Sequence, residues 1–259
     1  MSKVIRQFAG AALAAAVAVC AVRADELETA RAALHDKLYR VAQAHAEKAL
    51  AGESPDQALL VLLEALAGQG LYAEMSRRLD GADGVERQAP LSPPFAYWRA
   101  VALLSTGHPL DAARVAEAAK GEASPYADAL RRVAARAKVS AGDLPGALVL
   151  YAEADRTSTN RLTRAANALE WAVALERAGK ADAALEVLKL QAELGVVGEA
   201  VSDGMLMRGR LLVRQGKHAE ATMVFNQLAM SERATELARV QALVEMSVYA
   251  MSAGKTNEA

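Results

Sequence analysis

Apolar residues recur at three- and four-residue steps along most of the chain, the spacing that predicts amphipathic α-helices. Leu27, Ala30 and Leu34 show it near the start, and Leu38 and Val41 continue it. No segment alternates between apolar and polar residues over a useful length, so the sequence predicts no β-strands. The fold class expected is all-α.

The helical pattern is broken by turn glycines spaced 35 to 38 residues apart. They are Gly70, Gly107, Gly142, Gly179, Gly216 and Gly254. Five places after each glycine comes an alanine or, once, a methionine: Met75, Ala112, Ala147, Ala184, Ala221 and Ala259. Self-similarity at this period predicts an alpha-alpha superhelix, a solenoid of stacked antiparallel helical hairpins.

One long connector separates the earlier helices from a regular series. Residues 81–94 contain two glycines and three prolines, which cannot continue a helix. Beyond the connector, the pattern predicts helices near residues 95–106, 109–120, 124–141, 144–155, 160–178, 181–194, 199–215, 218–229 and 232–253.

The repeats resemble tetratricopeptide repeats (TPR). The best-matching unit has Gly209 at the small position of its first helix, Leu212 at the large apolar position and Gly216 at the turn. Ala221 and Phe225 then form the A-x-x-x-F pair of the second helix. The resemblance implies a right-handed superhelix that binds a protein segment on its concave face, and it implies no reaction.

The repeats also depart from the TPR pattern. The signature tryptophan is missing from its usual place, and Trp98 and Trp171 are offset from it. Leu63 stands where a small residue is expected, and Lys138 replaces a large apolar one. The resemblance to TPR proteins therefore depends on six repeats in near-register rather than on any single repeat.

The pattern divides the chain into three parts. Residues 1–24 are predicted to be a signal peptide, and residues 25–53 a capping helix or degenerate repeat in which Lys37 replaces the turn glycine. Residues 54–259 are predicted to form the TPR-like array.

The signal prediction depends on Lys3 and Arg6 before an apolar run over residues 8–22, and on Val22-Arg23-Ala24, which offers small residues at the positions that a signal peptidase reads. This pattern is typical of a cleaved secretory signal, and an uncleaved N-terminal anchor is the alternative. We therefore expect an exported bacterial protein, periplasmic or envelope-associated, with no membrane span after cleavage. Cys20 is the only cysteine, so the mature chain would have no disulfide, thiol nucleophile or cysteine metal site.

The charge balance excludes some partners. The chain has 30 basic and 31 acidic residues, and removing residues 1–24 takes away three basic residues and no acidic one, which leaves a net charge of −4. This balance gives no reason to expect nucleic acid or a polyanionic membrane as the partner.

Catalytic motifs are absent from the sequence. Gly254-Lys255-Thr256 imitates the end of a phosphate-binding loop, but Tyr249 stands where that motif needs glycine. No His-Glu-x-x-His or Gly-x-Ser-x-Gly motif occurs, and the four histidines are far apart in sequence. The sequence predicts no catalytic residue, no cofactor and no metal site.

We therefore expect a non-catalytic protein–protein interaction scaffold of the cell envelope that binds a protein or peptide segment. The alternative is a helper or assembly region of an envelope enzyme or secretion complex whose catalytic part is elsewhere. The sequence leaves both interpretations open.

The resemblance also implies where the segment binds. In TPR proteins, first-helix positions two, six and ten before the turn glycine point into the groove, and here these positions are occupied by Arg132, Arg136, Arg210, Arg214 and Tyr97. Guanidinium groups pair bidentately with carboxylates, so the expected ligand is an acidic segment. The alternative is that these arginines are solvated and paired with nearby acids.

The last helix is expected to lack its usual cover. The chain ends at Ala259, where the second helix of the final hairpin should begin. Either the natural chain continues, or the apolar side of residues 243–251 docks on a partner or on a second copy.

Overall fold

The computed structural model describes residues 26–80, 91–119, 121 and 124–252. All regular secondary structure in these residues is α-helical, which confirms the predicted all-α class. The helices are α1 (residues 26–35), α2 (Tyr39–Ala49), α3 (Pro55–Gly68), α4 (Tyr72–Asp80), α5 (Pro93–Ser105), α6 (Pro109–Ala119), α7 (Ala127–Ser140), α8 (Leu144–Thr157), α9 (Arg161–Arg177), α10 (Ala181–Glu193), α11 (Glu199–Arg214), α12 (His218–Ala229) and α13 (Glu236–Ser252).

The helices form two compact units, Met1–Val115 and Ala116–Ala259. Within each unit, neighbouring helices of the chain pack on one another, as α3 does on α4 and α9 on α10. The first helices of successive hairpins also touch, α3 with α5 in the first unit and α7, α9, α11 and α13 in sequence in the second. This nearest-neighbour packing is that of a helical solenoid.

Each unit has its own apolar core. The first unit buries Leu62, Leu66, Met75 and Leu79, together with Leu63 at the position where a small residue was expected. The second unit buries Leu175, Leu188, Leu206, Phe225 and Leu228 in one continuous cluster. The cores contain many alanines, because close-packed helices leave little room beyond a methyl group where they cross.

The turns share one backbone geometry. The described turn glycines have φ between 72° and 86°, the left-handed region that glycine enters without steric cost. In each turn, the amide of the residue after the glycine donates a hydrogen bond to the carbonyl five positions earlier, for example Lys180 to Leu175 and Lys217 to Leu212, both at 2.9 Å. This bond closes a Schellman motif, which satisfies a helix-end carbonyl.

The hairpin of α1 and α2 uses the same motif without glycine. Lys37 takes the left-handed conformation with φ of 60°, and the Leu38 amide donates to the Ala33 carbonyl at 2.8 Å. A side chain is strained in this region, so the tertiary structure imposes the turn on Lys37. Gly254, the last predicted turn residue, lies outside the described residues.

Two predicted helix starts are wrong by three or four residues. α7 begins at Ala127 rather than Ser124, because the Ser124 hydroxyl accepts a hydrogen bond from the Tyr126 amide at 3.1 Å and forms a turn. α13 begins at Glu236 rather than Glu232, because the Thr235 hydroxyl oxygen accepts from an amide in the first turn of the helix.

Lys138 replaces an apolar residue without leaving its charge unpaired. Its ammonium lies 3.0 Å from Asp143 and 3.4 Å from Glu117. The hydrogen bond to Asp143 raises the pKa of Lys138, and the same bond holds the pKa of Asp143 below its usual value. The substitution therefore exchanges an apolar contact for a charged link at the turn.

Candidate binding surface

The candidate surface is the layer of first helices in the second unit, formed by α7, α9, α11 and α13. Four of the predicted groove residues lie on it: Arg132 and Arg136 on α7, and Arg210 and Arg214 on α11. The fifth, Tyr97, lies on α5 in the first unit, with its ring 4.9 Å from that of Trp98. The four arginines therefore share one helix layer of the second unit, whereas Tyr97 belongs to the first unit.

Three of these arginines are paired with glutamates. Arg132 Nη2 lies 2.6 Å from Glu170 Oε1 on α9. Arg210 Nε lies 2.6 Å from Glu245 Oε1 on α13, and Arg214 is paired with Glu176 of α9. Each pair joins the first helices of two neighbouring repeats, so these ion pairs link successive repeats of the second unit.

Arg136 differs from these three. Its side chain is exposed, and no carboxylate of the described residues forms an ion pair with it. Arg177, two positions before Gly179, is likewise exposed and without an ion pair in the described part of the chain. Arg177 occupies a groove position by the same positional rule, although it was not among the predicted groove residues.

A buried tyrosine lies among these charges. Burial raises the pKa of the Tyr151 hydroxyl, and the Glu170 carboxylate raises it further. Three guanidinium groups act on the same hydroxyl in the opposite direction, those of Arg136, Arg132 and Arg177. We call Arg132, Arg136, Arg177 and Glu170 the inner arginine cluster.

The inner arginine cluster has three positive charges and one negative charge. Within it, Arg132 Nε and Glu170 Oε2 are buried and have no hydrogen-bond partner among the described residues. Arg132 and Glu170 are therefore joined by one hydrogen bond rather than by a bidentate pair, and each side chain keeps one polar atom without a partner among the described residues. A carboxylate is the group best matched to the excess of guanidinium.

No group of histidine, cysteine and acidic side chains among the described residues is arranged to hold a metal ion. None of the described helices is long and apolar enough to cross a membrane.

Solved structures with the same fold contain TPR-like repeats. One is a crystal structure of the nearly identical TPR-like repeats of a protein assigned as a kinesin light chain from Podosopora anserina, with a TM-score of 0.55, 17% identity and coverage of 68% of this chain and 93% of that one. A single-substitution variant of those repeats matches with a TM-score of 0.54 and 19% identity over the same shares. No protein-family model and no curated protein matches the sequence. The chain therefore has a TPR-like helical-repeat fold.

Proposed function

We propose that this protein is a non-catalytic interaction scaffold of the cell envelope, and that its inner arginine cluster binds an acidic segment of a protein partner. The observation that carries the proposal is an excess of guanidinium on the first-helix layer, where Arg136 and Arg177 are exposed and have no ion pair with a described carboxylate. The TPR-like fold supports a protein as the partner, because such helical repeats present extended binding surfaces.

The paired arginines contribute differently from the unpaired ones. Arg210 and Arg214 already neutralise glutamates of neighbouring helices, so a ligand must displace those glutamates to reach them. Removing Arg132 would leave Glu170 partly buried and unpaired, which lowers the stability of the protein. A binding assay on that variant would then mix the loss of a ligand contact with the loss of folded protein. Arg136 and Arg177 are therefore the residues on which binding is best tested.

We predict that the double substitution Arg136→Gln and Arg177→Gln weakens binding of a fluorescein-labelled oligoglutamate peptide by about tenfold at low salt. The loss should shrink as salt is added, because the lost contacts are exposed charges. Fluorescence anisotropy measures the binding. Thermal unfolding should be nearly unchanged, since neither arginine is paired in the described structure.

The matched control is Arg156→Gln, which removes an exposed arginine from α8 in the second-helix layer. It should leave the affinity for oligoglutamate unchanged. Equal oligoglutamate affinity of the parent and the double variant at low salt would contradict the proposed site.

Export is the second part of the proposal. The supporting pattern is the basic and apolar start of the sequence, which lies outside the described residues. Mass spectrometry of the protein from its native host is expected to show a mature N-terminus near Asp25. An intact Met1 in the cytosolic fraction would contradict export. If purification from an envelope fraction returns one enzyme in fixed stoichiometry, the helper role in an enzyme complex replaces that of a general scaffold.

The last helix of the second unit supports self-association. Six apolar side chains of α13 are more than 50% exposed: Leu237, Val240, Leu243, Val244, Val248 and Met251. By the repeat spacing, Val240 and Leu243 occupy the positions that Ala165 and Ala168 hold in α9, where both alanines are buried. We propose that two copies of the chain cover this face mutually.

Static light scattering tests the self-association. The full chain is expected to be a dimer whose dissociation constant does not change with salt concentration, because the surface buried between the copies is apolar. Val244→Lys with Val248→Lys should give a monomer with the parent helical content. A monomeric parent that binds no dye specific for exposed apolar patches would contradict the proposal.

A further inference from the structure

The second unit contains an apolar pocket away from the inner arginine cluster. Its walls are formed by the second helices α8 and α10 and by the first helix α9, and its volume is about 150 Å³. Ala168 and Trp171 of α9 line it together with Val187, Leu190 and Leu194 from α10 and the residues that follow it. Leu190 is 59% exposed at its edge, so the unoccupied pocket leaves apolar surface in water.

Charged side chains surround this pocket unevenly. Asp155 and Arg164 also line it, and they pair with each other at 3.1 Å. Glu186 lines it as well, is exposed, and forms no ion pair with any described cation. The charges at the pocket therefore sum to one negative charge, which Glu186 carries.

Buried polar groups at the pocket offer little to a polar ligand. Gln191 donates from its amide nitrogen to the Ala165 carbonyl at 2.6 Å and to the Ala200 carbonyl at 2.9 Å, which uses both amide hydrogens. The Trp171 indole Nε1 has no partner among the described residues, but the atom itself is buried, so a ligand in the pocket does not reach it. An apolar group is therefore the occupant that the lining matches.

The volume of the pocket limits the size of the group that it can hold. A cavity of roughly 150 Å³ holds one benzene-sized group, whereas cofactors and other small-molecule ligands fill roughly 300 to 1,000 Å³. A single large side chain of a protein partner matches this volume, and buried aromatic or aliphatic anchors commonly carry the affinity of protein interfaces.

We propose that this pocket binds one phenylalanine- or leucine-sized side chain of a partner segment that carries a basic residue next to it. The apolar side chain covers Leu190 and fills the space above Ala168, while the basic residue pairs with Glu186. This site is independent of the inner arginine cluster, because the cluster lies on the first-helix layer and the pocket opens between second helices.

The test uses the full chain and two capped peptides, Lys-Lys-Phe-Lys-Lys and the same peptide with alanine in place of phenylalanine. Methyl NMR spectra of Ala168, Val187 and Leu190 are recorded during titration, and Trp171 emission is followed in a Trp98→Phe background. The phenylalanine peptide is expected to give saturable shifts, and the alanine peptide to bind at least about tenfold more weakly.

Three variants locate the binding. Ala168→Leu fills the pocket and should abolish the shifts, and Leu190→Lys places a charge at an exposed edge position with the same effect and little risk to folding. Glu186→Lys should weaken binding several-fold, with a smaller loss at high salt. The Arg136→Gln and Arg177→Gln variant should bind the phenylalanine peptide as the parent does, so failure here is distinguishable from failure of the acidic-segment site.

The proposal is overturned if the phenylalanine peptide gives no saturable shift. It is equally overturned if the alanine peptide binds as well, or if Leu190→Lys leaves the shifts unchanged. A toluene titration that saturates the pocket when the phenylalanine peptide does not would assign the pocket to small apolar ligands instead.

Discussion

Replacing Phe225 by alanine is expected to lower the free energy of unfolding of the second unit by about 3–5 kcal/mol. The Phe225 ring is 2% exposed and lies in the core cluster of that unit, packed against α11. Its removal deletes apolar burial and leaves a cavity that the surrounding helices close only partly. Chemical denaturation followed by circular dichroism measures the loss. Met223→Ala, on the same helix but 72% exposed, should stay within about 0.5 kcal/mol of the parent.

A double-mutant cycle with Gly209 tests the reason for that effect. A Cβ atom built on Gly209 overlaps the Phe225 ring, so Gly209→Ala should be destabilising in the parent. In the Phe225→Ala background, the added methyl group enters the vacated space and should cost little. Equal costs of Gly209→Ala in both backgrounds would show that the two residues are not coupled as the structure describes.

The second large effect is expected for Ala184→Leu, which should lower the free energy of unfolding by about 1–3 kcal/mol. Ala184 and Ala172 are both fully buried in the core cluster, on the two helices that flank the turn at Gly179. The larger side chain has no free volume to enter, so it must displace a helix or adopt a strained rotamer. Thermal unfolding followed by circular dichroism measures the change.

The turn itself supplies the control for this substitution. Lys180 is exposed and contributes its backbone amide to the turn, so Lys180→Ala should stay within about 0.5 kcal/mol of the parent. A melting temperature that Ala184→Leu leaves unchanged would mean that the close helix crossing is misplaced.

Helices and turns could be predicted from sequence because their causes are local. A glycine at position 179 or 216 admits the left-handed turn, and the apolar spacing on either side favours helices of hairpin length. The hairpin at Lys37 shows the limit of this reasoning. The repeat spacing allowed a turn at Lys37, but lysine does not favour positive φ, so the left-handed conformation there depends on the packing of the flanking helices.

The candidate site could be predicted only in part. The positional rule found Arg136 and the three paired arginines, but the paired state depends on glutamates 35 to 38 residues away. Glu170 lies one repeat after Arg132 and meets it only when the two first helices stack. Sequence spacing within one helix carries no information about that contact.

The sequence by itself determined the all-α class, the period of the hairpins and the residues at the turns, because helix propensity, apolar spacing and left-handed glycine act within a few residues. Only the tertiary structure decided which arginines are neutralised, where the pocket beside Trp171 opens, and which side of α13 stays exposed. Each of these depends on contacts between helices from different repeats, whose distances and angles are set by side-chain volumes packed together rather than by any one stretch of chain.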